Sequence, residues 1–235
     1  MSGKLYLIPN TLGSTDTAAT IPSEVAALAV ELRNFIVEDL RNARRYLRLL
    51  DSKMDIDGSK FYPLNKHTSP EQWAEYLKPL QAGHNVGIIS EAGCPGVADP
   101  GAEVVKLAHE SGIEVVPLVG PSSILLAMMA SGMNGQSFAF NGYIPIKKEE
   151  RIKTIKQLEN RSRTEQQAQL FIETPFRNEH LLADIINSCA VSTKLCIACN
   201  ITLPDQYIVT RTIAQWKGKL PELHKKPAIF IIQSA

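Results

Sequence analysis

Asn85 to Gly101 reads NVGIISEAGCPGVADPG, and a second piece close behind it, Val115 to Ser123, reads VVPLVGPSS. Each is an apolar, β-branched run that breaks at once into Gly, Pro, Ala and Ser, the pattern of a buried strand emptying into a tight turn. Two such strand ends in succession suit a ligand site of an open α/β sheet, because backbone approaches a ligand closely only where side chains are small. The same pattern also fits ordinary strand-to-helix loops, since Gly and Pro punctuate every fold. Taken alone, the stretch specifies a sheet and a pocket but no chemistry.

Upstream of it, Leu5 to Ile8 is a short apolar strand stopped by Pro9-Asn10, and Thr11 to Thr20 is too rich in Gly, Ser, Thr and Asp to hold a helix. Thr20 is placed to cap a helix with Pro22 in its first turn and Val25, Leu28, Ala29 and Leu32 at helical spacing. Phe35 to Val37 is the next strand. Glu38 and Asp39 lie at its end, and the helix after them carries Arg41, Arg44, Arg45 and Arg48 against Leu40, Tyr46, Leu47, Leu49 and Leu50. Acid at the start suits the helix dipole, so a charged, solvated helix is one reading of this segment. Ser69-Pro70-Glu71-Gln72 matches a capping box and opens a helix that ends at Gly83. Downstream, Ala102 to Ser111 is a helix closed by Gly112, and Ile113 to Leu118 a strand. This alternation predicts a mostly parallel sheet.

After Gly120 the rhythm changes. Ile124 to Ser131 is an apolar helix, Ser137 to Tyr143 a strand, Lys147 to Arg163 a charged helix and Leu170 to Glu173 a strand, with Pro175 opening another helix. Leu195 to Cys199, Tyr207 to Thr212 and Ala228 to Ile232 are strands too close in sequence for long crossover helices, which favours antiparallel pairing. The expected fold is therefore two α/β domains, residues 1–119 with a mostly parallel sheet and residues 120–235 with a mixed or antiparallel one.

Composition narrows the function classes. Hydrophobic content of 44% and charged content of 21% over 235 residues are those of an ordinary globular protein with a sizeable core. A net charge of +1 supplies no global field toward nucleic acid or membrane, although the basic groups Arg41–Arg48, Lys147–Lys156 and Lys217–Lys226 can still meet phosphates locally. The first residues hold no long apolar core, so no signal peptide is expected, and Cys94, Cys189, Cys196 and Cys199 are read as free thiols of a cytoplasmic protein. Val115 to Ile146 carries no charge, but Pro117, Gly120, Pro121 and Gly132 interrupt it, so it is read as strand, turn and helix and no membrane is expected. Neither a dinucleotide glycine fingerprint nor a phosphate-loop Gly-Lys-Ser/Thr is present. His67, His84, His109, His180 and His224 are scattered, so no metal is expected, and Cys196-x-x-Cys199 sits in a strand pattern that favours core packing.

Five blocks in order, VEDLRNARRYL, ISEAGCPGVADPG, VVPLVGPSSILLAMMASG, FAFNGYIP and FIETPFR, resemble the tetrapyrrole methylase superfamily, and within it the ribosomal RNA small-subunit methyltransferase I branch. The resemblance implies an S-adenosylmethionine-dependent methyltransferase, a homodimer, with the cofactor in the cleft between two α/β domains. Family cofactor contacts map onto Ser90, Glu91, Ala92 and Gly93, onto Val97 and Ala98, onto Gly120, Pro121, Ser122 and Ser123, and onto Glu173, Thr174, Pro227 and Ala228. It implies in-line transfer of a sulfonium methyl, a step that needs placement and a dry pocket. For a ribose 2′-hydroxyl acceptor in small-subunit RNA, a base and an acceptor-positioning cation are expected. The candidates are Glu38 or Asp39 as base and Arg41 or Arg177 as cation; ion pairing among these residues is the structural alternative.

The sequence departs from the branch at several positions, and these departures bear on the substrate. Leu40 stands for Thr, Glu91 for Asp, Cys94 for Thr and Phe176 for His, and Asn200-Ile201-Thr202-Leu203 replaces a Glu-Leu-Thr-Lys block. Two other readings therefore stay open: a tetrapyrrole C-methyltransferase acting on a corrin or porphyrin precursor, and a cofactor-binding module without catalysis.

Overall fold

The computed structural model describes residues 2–64, 68 and 70–234. The chain divides into two compact units, the first ending at Ser122 and the second beginning at Ser123.

In the first unit β1 (Leu5–Ile8), β2 (Asn34–Val37), β3 (Lys60–Pro63), β4 (Val86–Ile89) and β5 (Val115–Pro117) form one sheet in the order β3-β2-β4-β1-β5. Every pairing is parallel, so all five strands end at the same edge. Helices α1 (Ser23–Glu31), α2 (Leu40–Leu50), α3 (Pro70–Gln81) and α4 (Gly101–Glu110) make the crossovers.

Alternating residues of the strands sort the helices onto two faces. Ile8, Phe35, Val37 and Ile89 pack with Val25 and Ala29 of α1 and with Ala43, Tyr46 and Leu47 of α2. Leu5, Ile36, Val86 and Ile88 pack with Leu77 and Leu80 of α3 and with Val104 and Ala108 of α4. Crossovers of one hand that run in opposite directions along a sheet must cover opposite faces. The chain leaving β1 or β2 thus turns to one face and the chain leaving β4, which lies between them, to the other. That divergence is the switch point at which open α/β sheets leave a crevice.

The second unit holds β6 (Phe138–Tyr143), β7 (Ala168–Ile172), β8 (Lys194–Cys199), β9 (Tyr207–Thr212) and β10 (Ala228–Gln233) in the order β6-β7-β10-β8-β9. Only β6 and β7 pair in parallel; the other pairs are antiparallel. The mixed sheet follows from the connections: α6 (Lys148–Glu165) carries β6 over to β7, whereas β8 and β9 are joined by a short turn. Phe171, Leu195, Ile197, Phe230 and Ile232 pack with Ile155 and Leu158 of α6 and with Leu181 and Ile185 of α7 (Asn178–Ser188). The apolar helix α5 (Ser123–Ser131) lies against β8, β9 and β10. A four-residue helix, α8 (Ile213–Trp216), follows β9 directly and buries Trp216, whose indole N–H donates to Leu195 O at 2.9 Å. Cys196 and Cys199 are buried free thiols of β8.

Several boundaries differ from the sequence reading for local reasons. Thr20 does not cap α1: its backbone and that of Ile21 both donate to Thr17 O, closing a turn, and the helix starts only after Pro22. Pro175 does not open α7, because Arg177 N–H closes a turn on Thr174 O and the helix begins at Asn178. The expected capping box at Ser69, like His67, lies outside the described residues.

A buried ion pair joins α6 to α7. Arg151 Nε and an Arg151 terminal nitrogen both reach Asp184 Oδ2, at 2.7 and 2.6 Å, and the other terminal nitrogen donates to Ile146 O at 2.6 Å. Removing one partner of such a pair leaves a buried, unpaired charge. Asp184→Ala is expected to destabilise the protein by about 3–5 kcal/mol, read from urea unfolding; a loss below about 1 kcal/mol would show that water reaches Arg151 freely.

Candidate functional site

Three strand ends of the first unit are tied into one structure. The backbones of Asn10, after β1, and Gly93, after β4, form a two-way bridge: Asn10 N–H donates to Gly93 O at 2.9 Å and Gly93 N–H to Asn10 O at 3.1 Å. The Asn10 side chain, buried at 6% exposure, donates to Ser90 O and Glu91 O at 3.0 and 3.1 Å and accepts from Thr11 N–H at 2.8 Å. The Tyr46 hydroxyl donates to Pro9 O at 2.6 Å. Gly93 has φ of +70°, a left-handed conformation that suits glycine. After β5, Gly120 passes so close to Pro9 that a Cβ there would lie only 2.2 and 2.3 Å from Pro9 Cβ and Cγ. Glycine is demanded at 120 by that approach.

The sequence-predicted residues of this unit fall into two groups. Glu38, Ser90, Glu91, Gly93, Gly120 and Pro121 share the strand-end edge: Glu91 N–H donates to Glu38 Oε1 at 3.3 Å, Ser90 is buried with its hydroxyl near Ala92 O and Gly93 O, and the Cys94 thiol lies 3.5 Å from Pro121 O. Ala92, Val97 and Ala98 are exposed on the loop after β4, with Ala98 in the left-handed region at φ +62°. Ser122 closes the unit. Asp39 and Arg41 belong to α2 instead. Asp39 is the N-cap, its Oδ1 accepting from Asn42 N–H at 2.7 Å, and Arg41 is exposed in the first turn.

Two carboxylates at this edge carry unusual electrostatics. Burial, and then the negative charge of Asp99, push the Glu38 carboxyl from its ordinary value near 4.5 up to about 7, against the opposing hydrogen bond from Glu91 N–H. Asp99 pins its own loop, with Oδ1 accepting from Gly96 N–H at 2.9 Å and Gly101 N–H at 2.7 Å, while Oδ2 is buried without a partner among the described residues. Burial raises the Asp99 carboxyl as well.

In the second unit the antiparallel registers Ile229 with Ile172 and Ala228 with Cys199 place the end of β7, the start of β10 and the end of β8 at one sheet edge. Glu173, Thr174, Pro227, Ala228 and the buried Asn200 therefore share that edge, and Asn200 N–H donates to Pro227 O at 3.0 Å. Glu173 Oε1 accepts from Arg177 at 2.6 Å and from Thr174 N–H at 2.7 Å. Burial alone would raise this carboxyl, but the bonds from Arg177 and Thr174 outweigh it and hold Glu173 below its ordinary range. Among the described residues Glu173 Oε2 and Arg177 Nε remain buried without partners. Ser123, the remaining predicted residue, is the first residue of α5.

Sequence reasoning passed over Asn10 and Asp99. Asn10 was legible only as a strand stop, although a polar residue straight after a parallel strand must lie at the edge where the other strands end. Asp99, in the ADPG run, carried a signal of the same kind: an acid flanked by small residues and turn formers. Among the described residues no group of three or more His, Cys, Asp or Glu is placed to hold a metal ion, and no helix is long and apolar enough to cross a membrane.

Comparison with known proteins agrees with the block pattern. A family model described as Tetrapyrrole (Corrin/Porphyrin) Methylases matches residues 27–217. Ribosomal RNA small subunit methyltransferase I of Pasteurella multocida (strain Pm70) is 28% identical, the match taking in 99% of this chain and 80% of that protein. The proteins of the same name from Escherichia coli O157:H7 and Bacillus subtilis (strain 168) are 28% and 32% identical, over 85% and 77% of this chain and 66% and 58% of theirs. Among solved structures, the methyltransferase CobJ superposes with a TM-score of 0.65 at 19% identity, covering 100% of this chain and 95% of its own. The native uroporphyrin III C-methyl transferase from Thermus thermophilus does so with a TM-score of 0.59 at 16% identity, covering 99% and 98%. At these identities the two structures establish the fold.

The close approach at Gly120 yields a direct test. Gly120→Ala is expected to push the ends of β1 and β5 apart and to destabilise the protein by about 1–3 kcal/mol, the range for overpacking. Asn10→Ala, which strips Ser90 O and Glu91 O of their donor, should cost about 2–4 kcal/mol. Urea unfolding measures both; unchanged midpoints would mean that the strand ends are not held as described.

Proposed function

Since this chain belongs to the tetrapyrrole (corrin/porphyrin) methylase family, we propose that it transfers the methyl group of S-adenosylmethionine to a ribose 2′-hydroxyl of small-subunit ribosomal RNA. One observation carries this reading: relatives named ribosomal RNA small subunit methyltransferase I align over up to 99% of the chain. The reading includes a homodimer acting in the cytoplasm, where ribosomes are.

The orphaned acceptors fit such a cofactor. Asp99 Oδ2 in the first unit and Glu173 Oε2 in the second are each buried without a partner among the described residues, and a ligand with ribose hydroxyls and an ammonium group offers donors of the kind each lacks. In the proposal, Ser90 to Gly93, Val97, Ala98 and Gly120 to Ser122 of the first unit hold it, largely through backbone groups. When bound, S-adenosylmethionine supplies an electrophilic methyl on a sulfonium.

Glu38 is the base in this reading. It lies at the strand-end edge with its carboxyl raised to about 7, which keeps proton affinity high enough to assist a hydroxyl while leaving a useful ionised fraction at neutral pH. Asp39 is occupied as the cap of α2, so its carboxylate serves the helix. Arg177 is engaged by Glu173 and acts as a positioning residue for that carboxylate. Arg41, exposed in the first turn of α2 next to Glu38 in sequence, is the cation that orients the acceptor.

Calorimetric titration with S-adenosylmethionine and S-adenosylhomocysteine, followed by labelled-methyl transfer to purified small ribosomal subunits, tests the whole reading. Binding with transfer is expected; binding with no transfer to the subunits would remove the acceptor, and no binding would remove the cofactor.

The pH dependence tests Glu38 in particular. The base works deprotonated, so kcat/KM is expected to rise with pH through about 7 and then level off. Glu38→Gln should lower the rate by about 10²–10⁴-fold and abolish that rise. Asp99→Asn removes a neighbouring negative charge, which makes ionised Glu38 easier to form and shifts the inflection to lower pH. An unmoved inflection in Asp99→Asn would mean that the two carboxylates do not interact.

A further inference from the structure

The groove beside α2 begins at Arg41, the cation assigned above, and extends past it over residues that the chemistry does not use. It encloses about 990 Å³ and is lined by Arg41, Arg44, Arg45 and Arg48, with Asp39 and Asp57 at its margins. The four arginines sit at i, i+3, i+4 and i+7, which places them within a roughly 100° arc of the helix. The opposite arc holds Ala43, Tyr46 and Leu47, which are buried in the core. The arginines therefore face outward because the other side of α2 is committed to the sheet.

No counter-ions hold this face. All four arginines are exposed, and among the described residues none of them forms an ion pair. Arg44 lies over the ring of Phe61 at 5.2 Å, which orients its guanidinium without neutralising it. The two acids at the margins offset part of the charge, and one of them, Asp39, is tied to Asn42 N–H. For a chain whose net charge is only +1, four cations on two turns of one helix are a concentrated, unpaired charge. The stripe runs about 10 Å along the axis and starts three residues after Glu38, the proposed base.

From this we infer that the outer face of α2 is a docking track for the RNA backbone, in which Arg44, Arg45 and Arg48 take successive phosphates and lead the acceptor ribose toward Glu38. The inference rests on the RNA reading above and adds to it the surface that would hold the polymer. Guanidinium forks match phosphate oxygens in pairs, and a row of them along a polyanion binds through counter-ion release. Leu40 and Leu49 are exposed at the same groove, but two leucines do not make the apolar core that a folded protein partner would bury, whereas arginines at helical spacing fit the phosphates of a flexible single strand.

The test compares the full chain with Arg45→Gln/Arg48→Gln and Arg45→Lys/Arg48→Lys, which leave Arg41 and the stacked Arg44 in place. Affinity for a fluorescein-labelled single-stranded RNA 20-mer is measured by anisotropy across a salt series, beside methyl transfer to purified small ribosomal subunits. The glutamine pair should weaken RNA binding roughly tenfold, lower the slope of log K against log salt by about 1.4, at about 0.7 per lost phosphate contact, and raise the KM for the subunits. The lysine pair should keep most of the slope. An unchanged slope and affinity in the glutamine pair, with wild-type protein still methylating subunits, would overturn the track and leave the acceptor reading intact. Arginine-dependent RNA binding without any methyl transfer would support the track and count against the acceptor reading alone. Equal arginine-dependent binding to polyglutamate would point to an acidic protein partner and overturn the RNA track.

Discussion

The ends of β1 and β4 are bound to each other by one buried side chain and one two-way backbone bridge, and the candidate site of the first unit depends on that tie. Parallel strands β1 and β4 are neighbours, yet the chain leaving β1 and the chain leaving β4 turn to opposite faces of the sheet. Left alone, the loops would part. Asn10 closes the gap with bonds to Ser90 O, Glu91 O and Gly93, and because it is buried, each of these bonds would be costly to leave unmade. The carbonyls of the loop after β4 are thereby held inward, and Glu91 N–H is left to meet Glu38.

From that tie the electrostatics follow. A loop drawn over the sheet edge shields Glu38 from water and brings the charge of Asp99 to bear on it, and both effects favour the protonated acid. Asp99 is itself fixed by two backbone donors through one oxygen, so its second oxygen has no freedom to seek a partner elsewhere. Glu173 in the second unit shows the opposite balance. Glu173 is buried, but Arg177 and Thr174 N–H bond its ionised form and hold its carboxyl low. The half-buried Glu38 is raised by desolvation and then by Asp99, whereas at Glu173 a guanidinium and a backbone N–H outweigh burial.

Much of the fold was legible in particular residues. The break from GIIS into EAGCPG and from VVPLV into GPSS marks strand ends, and the short spacing of the last three strands requires antiparallel pairing. Helix starts were less legible. Thr20 and Pro175 have the right chemistry, but a backbone turn onto Thr17 O holds Thr20 and Ile21 ahead of the helix, and a turn onto Thr174 O claims the Arg177 N–H that a Thr174 cap would need. The site was legible as a set of small residues and a resemblance, and much less so as chemistry. Glu38 and Asp39 are adjacent acids that the sequence cannot tell apart; one is turned to a helix N-terminus and the other to the sheet edge.

The amino-acid sequence by itself determined which segments are strands and helices, where the pattern changes near Gly120, and the family, because apolar period, turn residues and motif order are local properties of the chain. Only the tertiary structure decided that Asn10 meets Gly93 and Pro9 meets Gly120, that Asp99 acts on Glu38, and that the arginines of α2 stand together without counter-ions among the described residues. Each of these joins residues distant in sequence or depends on which face of an element is buried, and burial and through-space charge are set by packing rather than by position along the chain.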